Sequence, residues 1–145
     1  MEGNFGLIEM VKIYLAHPGQ PSVIKRAKKF QRRLEQMGFE VINPFDQNEY
    51  ARKLTEQWRK GKQDYEQASL IFSNDLDSVN KSDMVVAYFP NVWSCGTPME
   101  MFHAFTQGKE VYVYSKMISP WLMIPSEGKV FNNLTNLLKE LKKIA

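Results

Sequence analysis

Met84-Val85-Val86-Ala87-Tyr88 is an unbroken apolar run of five residues, entered directly from Asp83. A strand with one wet face alternates apolar and polar side chains. A continuous apolar run is expected instead where both faces are covered, at the centre of a parallel sheet. Downstream, Pro98 to Gln107 reads as a helix stopped by Gly108, and Glu110 to Tyr114 as the next strand. A loop with Ser119-Pro120 and Pro125 follows, then a short last strand at Val130-Phe131 and a final helix marked by Leu134, Leu137, Leu138 and Leu141.

Upstream the same alternation holds. Lys12 to Ala16 is a strand ended by His17-Pro18-Gly19. Ser22 is placed to cap a helix whose apolar positions are Val23, Ala27, Phe30, Leu34 and Met37, steps of three and four that define one face. Gly38 stops it. Phe39 to Ile42 is the second strand, closed by Asn43-Pro44. Glu49 to Val79 is polar and helical, read as two helices broken near Gly61. The expectation is one α/β domain over residues 1–145: a doubly wound, mostly parallel five-stranded sheet with helices on both faces. Such sheets bind ligands outside the carboxyl ends of their strands. The loops after Ala16, Tyr88 and Tyr114 therefore matter most.

Composition narrows the function classes. Hydrophobic residues are 43% and charged residues 24% of the 145, an ordinary globular balance. No apolar run approaches the roughly 20 residues of a membrane span, and Met1 to Met10 lacks a basic leader segment, so a cytoplasmic protein away from membranes is expected. A single cysteine, Cys95, fits a reducing compartment. The net charge is only +3, although Lys25, Arg26, Lys28, Lys29, Arg32 and Arg33 cluster in the first helix. A solvated helix face explains them; nucleic-acid binding is the competing reading, and the modest net charge argues against it. There is no Gly-x-Gly-x-x-Gly after the first strand and no Gly-Lys-Ser/Thr, which argues against a dinucleotide or nucleoside triphosphate ligand. His17 and His103 have no third partner at metal-ligand spacing, so no metal site is expected.

Several residues are candidates for chemistry. Glu100 follows Thr97 and Pro98 at the start of a helix. Thr-x-x-Glu is a capping box, with Thr97 at the cap and Pro98 at the first helical position. Alternatively the carboxylate points into the cleft, where a helix N-terminus favours its ionised form. Asp75 falls on one helical face with Ala68, Ile71 and Val79; a lone acid on an apolar stripe is either hydrogen-bonded to backbone or used in a site. Asp83 reads as a turn or capping residue. Tyr14, near the carboxyl end of the first strand, is a core tyrosine or one that orients a carboxylate. Trp93 and Trp121 are partly buried aromatics or stacking surfaces for a flat ligand.

Ile13-Tyr14-Leu15-Ala16, Gly38 to Phe45, Asn74-Asp75-Leu76, Ser82 to Ala87, Gly96-Thr97-Pro98-Met99-Glu100 and Gln107 to Val111 occur in this order with matched spacing. In this the chain resembles the nucleoside 2-deoxyribosyltransferase family, with its relatives the nucleoside 5′-monophosphate N-glycosidases. The resemblance implies that Glu100 is the catalytic glutamate, forming a covalent glycosyl intermediate at C1′. It implies that Asp75 engages the nucleobase and assists its protonation, and that Tyr14 positions the glutamate. The substrates it implies are a nucleoside or nucleoside monophosphate and a free nucleobase, with no metal or organic cofactor required.

Two departures bear on substrate. Transferases of the family usually carry an acid six residues before the glutamate; Ser94 stands there, as in the nucleotide N-hydrolases, and a hydroxyl accepts a phosphate neighbour that a carboxylate would repel. Trp121-Leu122-Met123 stands where transferases tend to have Asn-Leu-Met, the asparagine reaching into a neighbouring subunit. Trp121 cannot replace that hydrogen bonding, but the resemblance still implies a homodimer or larger assembly with shared sites, the loop from Lys116 to Gly128 supplying Trp121 to a neighbour and Met123 joining the binding set. Gly96, with His17, Gly19 and Gln20 of the first loop, completes the expected binding set. A non-catalytic nucleotide-binding module on the same scaffold is the alternative from a different class.

Overall fold

The computed structural model describes residues 9–47, 60–61, 64–91 and 94–145. In chain order these form β1 (Lys12–Ala16), α1 (Pro21–Gln36), β2 (Glu40–Ile42), α2 (Pro44–Gln47), α3 (Tyr65–Asn80), β3 (Met84–Tyr88), α4 (Gly96–Thr106), β4 (Glu110–Tyr114), α5 (Pro120–Met123), β5 (Val130–Phe131) and α6 (Leu134–Lys142). The five strands make one sheet in the order β2-β1-β3-β4-β5, with every pairing parallel. The sheet and its flanking helices are the α/β arrangement expected. The apolar run is the central strand and is buried along its whole length.

Because side chains alternate along a strand, β1 feeds two cores. Ile13 and Leu15 pack with Val23, Ala27, Phe30 and Leu34 of α1 and with Leu137 and Leu141 of α6. Tyr14 and Ala16 point to the opposite face, among Val79, Val85, Ala87, Met101, Ala104 and Leu122. The parallel register sets Tyr14 beside Val85 and Ala16 beside Ala87. β1 lies between β2 and β3, where the strand order reverses, so the carboxyl end of β1 opens onto the crevice that such folds use.

The helix starts differ from expectation. Ser22 does not cap α1: Gln20 occupies the cap position and Pro21 opens the helix. A proline suits that place because its missing N–H would have no partner there. Thr97 does not cap α4. That helix begins at Gly96 after Cys95, with no side-chain cap. Pro98 then falls within the first turn rather than at its first position. Asp83 proves to be a strand-start brace: its Oδ2 accepts the Lys12 backbone N–H at 2.8 Å, and its own N–H donates to the Lys12 carbonyl. Residues 60–61 form a turn, with a φ of 83° at Gly61. The helix expected before it, from Glu49, lies outside the described residues. No helix among the described residues is long and apolar enough to cross a membrane.

Candidate active site

Glu100 sits inward on α4, beyond its capping positions, and only 9% of it is exposed. It makes no capping box. Thr97 lies inside the helix rather than at its cap, and Tyr14 Oη, wholly buried on β1, donates to Glu100 Oε2 at 2.5 Å. That contact turns the carboxylate into the protein, away from the helix start, and Thr97 Oγ1 is left buried without a hydrogen-bond partner among the described residues.

Asp75 of α3 faces the same space. Together with Ala68, Ile71, Phe72, Leu76, Gly96, Met99 and Glu100 it lines a cleft of about 280 Å³. Ala68, Ile71 and Asp75 are the stripe read from helical spacing. Phe72 and Met99 are cleft residues that the sequence did not single out. Nothing in their local pattern separates them from surface apolar positions, since both remain half exposed.

The electrostatics follow from an apolar wall around two acids. Burial pushes the Asp75 carboxyl up to about 6. Burial pushes Glu100 up to about 8, the Tyr14 hydrogen bond pulling it down and the Asp75 charge pushing it further up. The helix N-terminus was expected to favour ionised Glu100; desolvation outweighs it at this depth. Tyr14 is raised well above its ordinary value by burial and then by the charges of Glu100 and Asp75, so it stays a neutral O–H donor. Between about 6 and about 8 the two carboxyls thus hold one proton between them. One group able to give a proton and one able to attack or to stabilise a cation then coexist in one cleft.

The other expected residues are placed as follows. Ser94 stands just before α4, half-buried, its Oγ 3.5 Å from the Thr97 backbone N. Cys95 is exposed. His17, at the end of β1, is buried; Nδ1 meets the Pro18 carbonyl at 2.8 Å, Nε2 meets Asn43 Oδ1 at 3.1 Å, and the ring stacks on Phe45 at 4.7 Å. Gly19 and Gln20 are half-buried in the loop between β1 and α1. Trp93 lies outside the described residues. Trp121 is 72% exposed and borders a separate cavity of about 180 Å³ with Phe89, Pro98 and Leu122, which shares no lining residue with the Asp75–Glu100 cleft. Met123 is exposed on the same short helix. Among the described residues no three His, Cys, Asp or Glu side chains converge as a metal site would need.

A family model described as nucleoside 2-deoxyribosyltransferase matches residues 13–134. The chain belongs to the nucleoside 2-deoxyribosyltransferase family. That span runs from β1 to the start of α6 and contains Tyr14, Asp75, Ser94 and Glu100. The fold is shared with a 2-deoxyribosyltransferase from the psychrotolerant bacterium Bacillus psychrosaccharolyticus, at a TM-score of 0.67 and 20% identity, over 88% of this chain and 90% of that one. It is shared also with the CMP N-glycosidase BcmB of Clostridium botulinum, at a TM-score of 0.56 and 19% identity, over 90% of this chain and 97% of that one. No curated protein sequence matches the chain. Members of this family act on the N-glycosidic bonds of nucleosides or nucleotides, and the kind of chemistry to be sought in the cleft is therefore transfer or glycosidic cleavage.

Proposed function

We propose that the protein cleaves the N-glycosidic bond of deoxynucleosides or nucleosides, or of their 5′-monophosphates, through a covalent sugar–Glu100 intermediate, and passes the sugar to another nucleobase. The observation that carries this is that Glu100 of α4 and Asp75 of α3 line one apolar cleft while Tyr14 of β1 bonds Glu100 from within the core.

The steps balance as follows. A Glu100 carboxylate oxygen attacks C1′. The C1′–N bond breaks, its electron pair stays on the departing base, and the Asp75 proton goes to that base. An acceptor base then attacks C1′ from the vacated face, the Glu100–C1′ bond breaks, and the acceptor's proton returns to Asp75. Two inversions give net retention. The reactive arrangement has the shared proton on Asp75 and Glu100 ionised. A base that accepts a hydrogen bond from Asp75 favours that arrangement. So does the positive charge that develops on the sugar beside Glu100. Tyr14 gives its hydrogen bond to the ionised carboxylate and holds it in place.

Ser94 favours a second outcome, in which water takes the sugar and the substrate is a 5′-monophosphate. A neutral hydroxyl at the start of α4 tolerates a phosphate that an acid there would repel. Trp121, Ile118 and Ile124 crowd apolar surface on and around α5, and we place a second copy of the chain there, so that Trp121 and Met123 serve a neighbour's site in a dimer or larger assembly. Gly96, Gly19, Gln20, His17 and Trp93 supply the remaining substrate contacts in this reading.

The test is incubation with deoxynucleosides and with deoxynucleoside and ribonucleoside 5′-monophosphates, with and without an acceptor base, following base release by chromatography. Exchange that needs the acceptor establishes transfer. Release from monophosphates alone establishes hydrolysis. No reaction with any of them defeats the proposal.

A further inference from the structure

α3 carries Asp75 to the cleft, yet its apolar anchorage is slight. Val79 is its one fully buried residue among those described. Toward its start, Tyr65 is 87% and Leu70 64% exposed. Its C-terminal end is held by other means. Lys109 lies between Gly108, whose φ of 73° lets the chain turn out of α4, and the first residue of β4. An ammonium has three N–H donors. Lys109 Nζ gives one each to the carbonyls of Val79 at 2.8 Å, Asn80 at 2.7 Å and Ser82 at 2.6 Å. A cation here also meets the negative end of the α3 dipole. Asp83 is the acid facing that ammonium.

A second tie runs through the Asn80 side chain. Its Oδ1 accepts from His103 Nε2 at 2.7 Å and from Gln107 Nε2 at 2.5 Å. The last turn of α3 is thus bound to the last turn of α4 and the loop after it. The same two helices carry Asp75 and Glu100 at the opposite side of this clamp.

We propose that Lys109 is a positioning residue for Asp75: by binding the C-terminal carbonyls of α3 to the start of β4, it sets how closely Asp75 approaches Glu100. This rests on the reading of Asp75 and Glu100 as the working pair. Asp75 stands five residues before Asn80, roughly 7.5 Å along the axis. With so little apolar packing beyond Val79, the helix pivots at its held end. A tilt of roughly 10° moves Asp75 by about 1 Å, and a misplacement of about that size costs a catalytic group up to about 100-fold in rate.

The test compares wild type with Lys109→Met and Lys109→Arg in turnover and in a carbon-13 NMR titration of labelled Asp and Glu carboxyls. Lys109→Met is expected to lower kcat by about 10- to 100-fold with KM nearly unchanged. It is also expected to bring the Asp75 titration down from about 6 toward the ordinary carboxylate range, as a loosened helix lets water in. Lys109→Arg, which keeps the cation and its donors, is expected to restore most of kcat. A Lys109→Met protein that melts earlier but keeps wild-type kcat and an unmoved Asp75 titration would overturn the inference, because a mere brace does that. If wild type turns over no substrate, the proposed function fails, and the Asp75 titration alone decides the role of Lys109. If Lys109→Met does not fold, Asn80→Ala decides: a smaller loss of kcat in the same direction supports the clamp, and wild-type values overturn it.

Discussion

Tyr14 Oη and Glu100 Oε2 stand 2.5 Å apart although 86 residues separate them in the chain. The hydrogen bond joins the strand at the reversal of the sheet order to the helix that follows the central strand. It draws Glu100 toward the ionised form, against burial and the Asp75 charge. Removing it should therefore act on Glu100 rather than on substrate binding.

Tyr14→Phe is expected to lower kcat by roughly 10- to 100-fold, since a hydrogen bond to a charged group contributes about 1.5–3 kcal/mol and about 1.4 kcal/mol is tenfold in rate. The Glu100 titration should move up further from about 8. Steady-state kinetics and a carboxyl NMR titration check both. A variant with the wild-type rate would remove Tyr14 from the mechanism.

The rate should follow a bell in pH. Below about 6 both carboxyls are protonated and no nucleophile exists. Above about 8 both are ionised, the proton donor is gone and the two charges repel. Asp75→Asn leaves only Glu100 to titrate, so the alkaline limb should vanish and the residual rate should rise to a plateau. That rise should fall below about 8, because the Asp75 charge no longer pushes Glu100 up. An Asp75→Asn profile that stays bell-shaped would reassign the proton donor.

Stability carries the same signature. Glu100 is raised in the fold from an ordinary 4.5 to about 8, so the folded protein holds a proton that the unfolded chain has lost. The stability this contributes is full below the ordinary value and is lost as pH rises through about 8. The slope is at most about 1.4 kcal/mol per pH unit for one proton. Glu100→Gln is expected to flatten this decline while abolishing turnover. Urea unfolding across the range, with activity on the same samples, tests both. An unchanged slope would show that Glu100 is not the buried titrating group.

Ser94→Asp separates the two substrate readings. Beside a 5′-phosphate, a new carboxylate at the start of α4 should cost at least roughly tenfold in kcat/KM for monophosphates. Nucleosides should be spared or improved. Equal losses on both substrates would mean that Ser94 does not face the phosphate.

Much of the scaffold was legible because it rests on periodicity. The unbroken apolar run at Met84–Tyr88 announced a strand covered on both faces. The three-and-four spacing from Val23 to Leu34 announced the helix beneath it, and both stand as expected. Helix starts were less legible. Ser22 and Thr97 have the right chemistry to cap, but the chain enters α1 at Pro21 and α4 at Gly96. Local preference at a cap is worth about 1 kcal/mol, and the tertiary fit decided otherwise.

The sequence by itself determined which side chains share a face: the alternation that sends Tyr14 to one side of β1, and the helical step that lines Asp75 with Ala68 and Ile71. Those are short-range geometry, the same wherever the chain folds into these elements. Only the tertiary structure decided what Glu100 does. Its local string is a capping box, and it became an inward carboxyl because a phenol 86 residues away lies within hydrogen-bond reach and an apolar wall keeps water out. The grip of Lys109 on the carbonyls of Val79 and Asn80 at the end of α3, and of Ser82 just after it, was hidden for the same reason. Backbone carbonyls are alike in every residue, and nothing in a sequence says which of them a distant ammonium will meet.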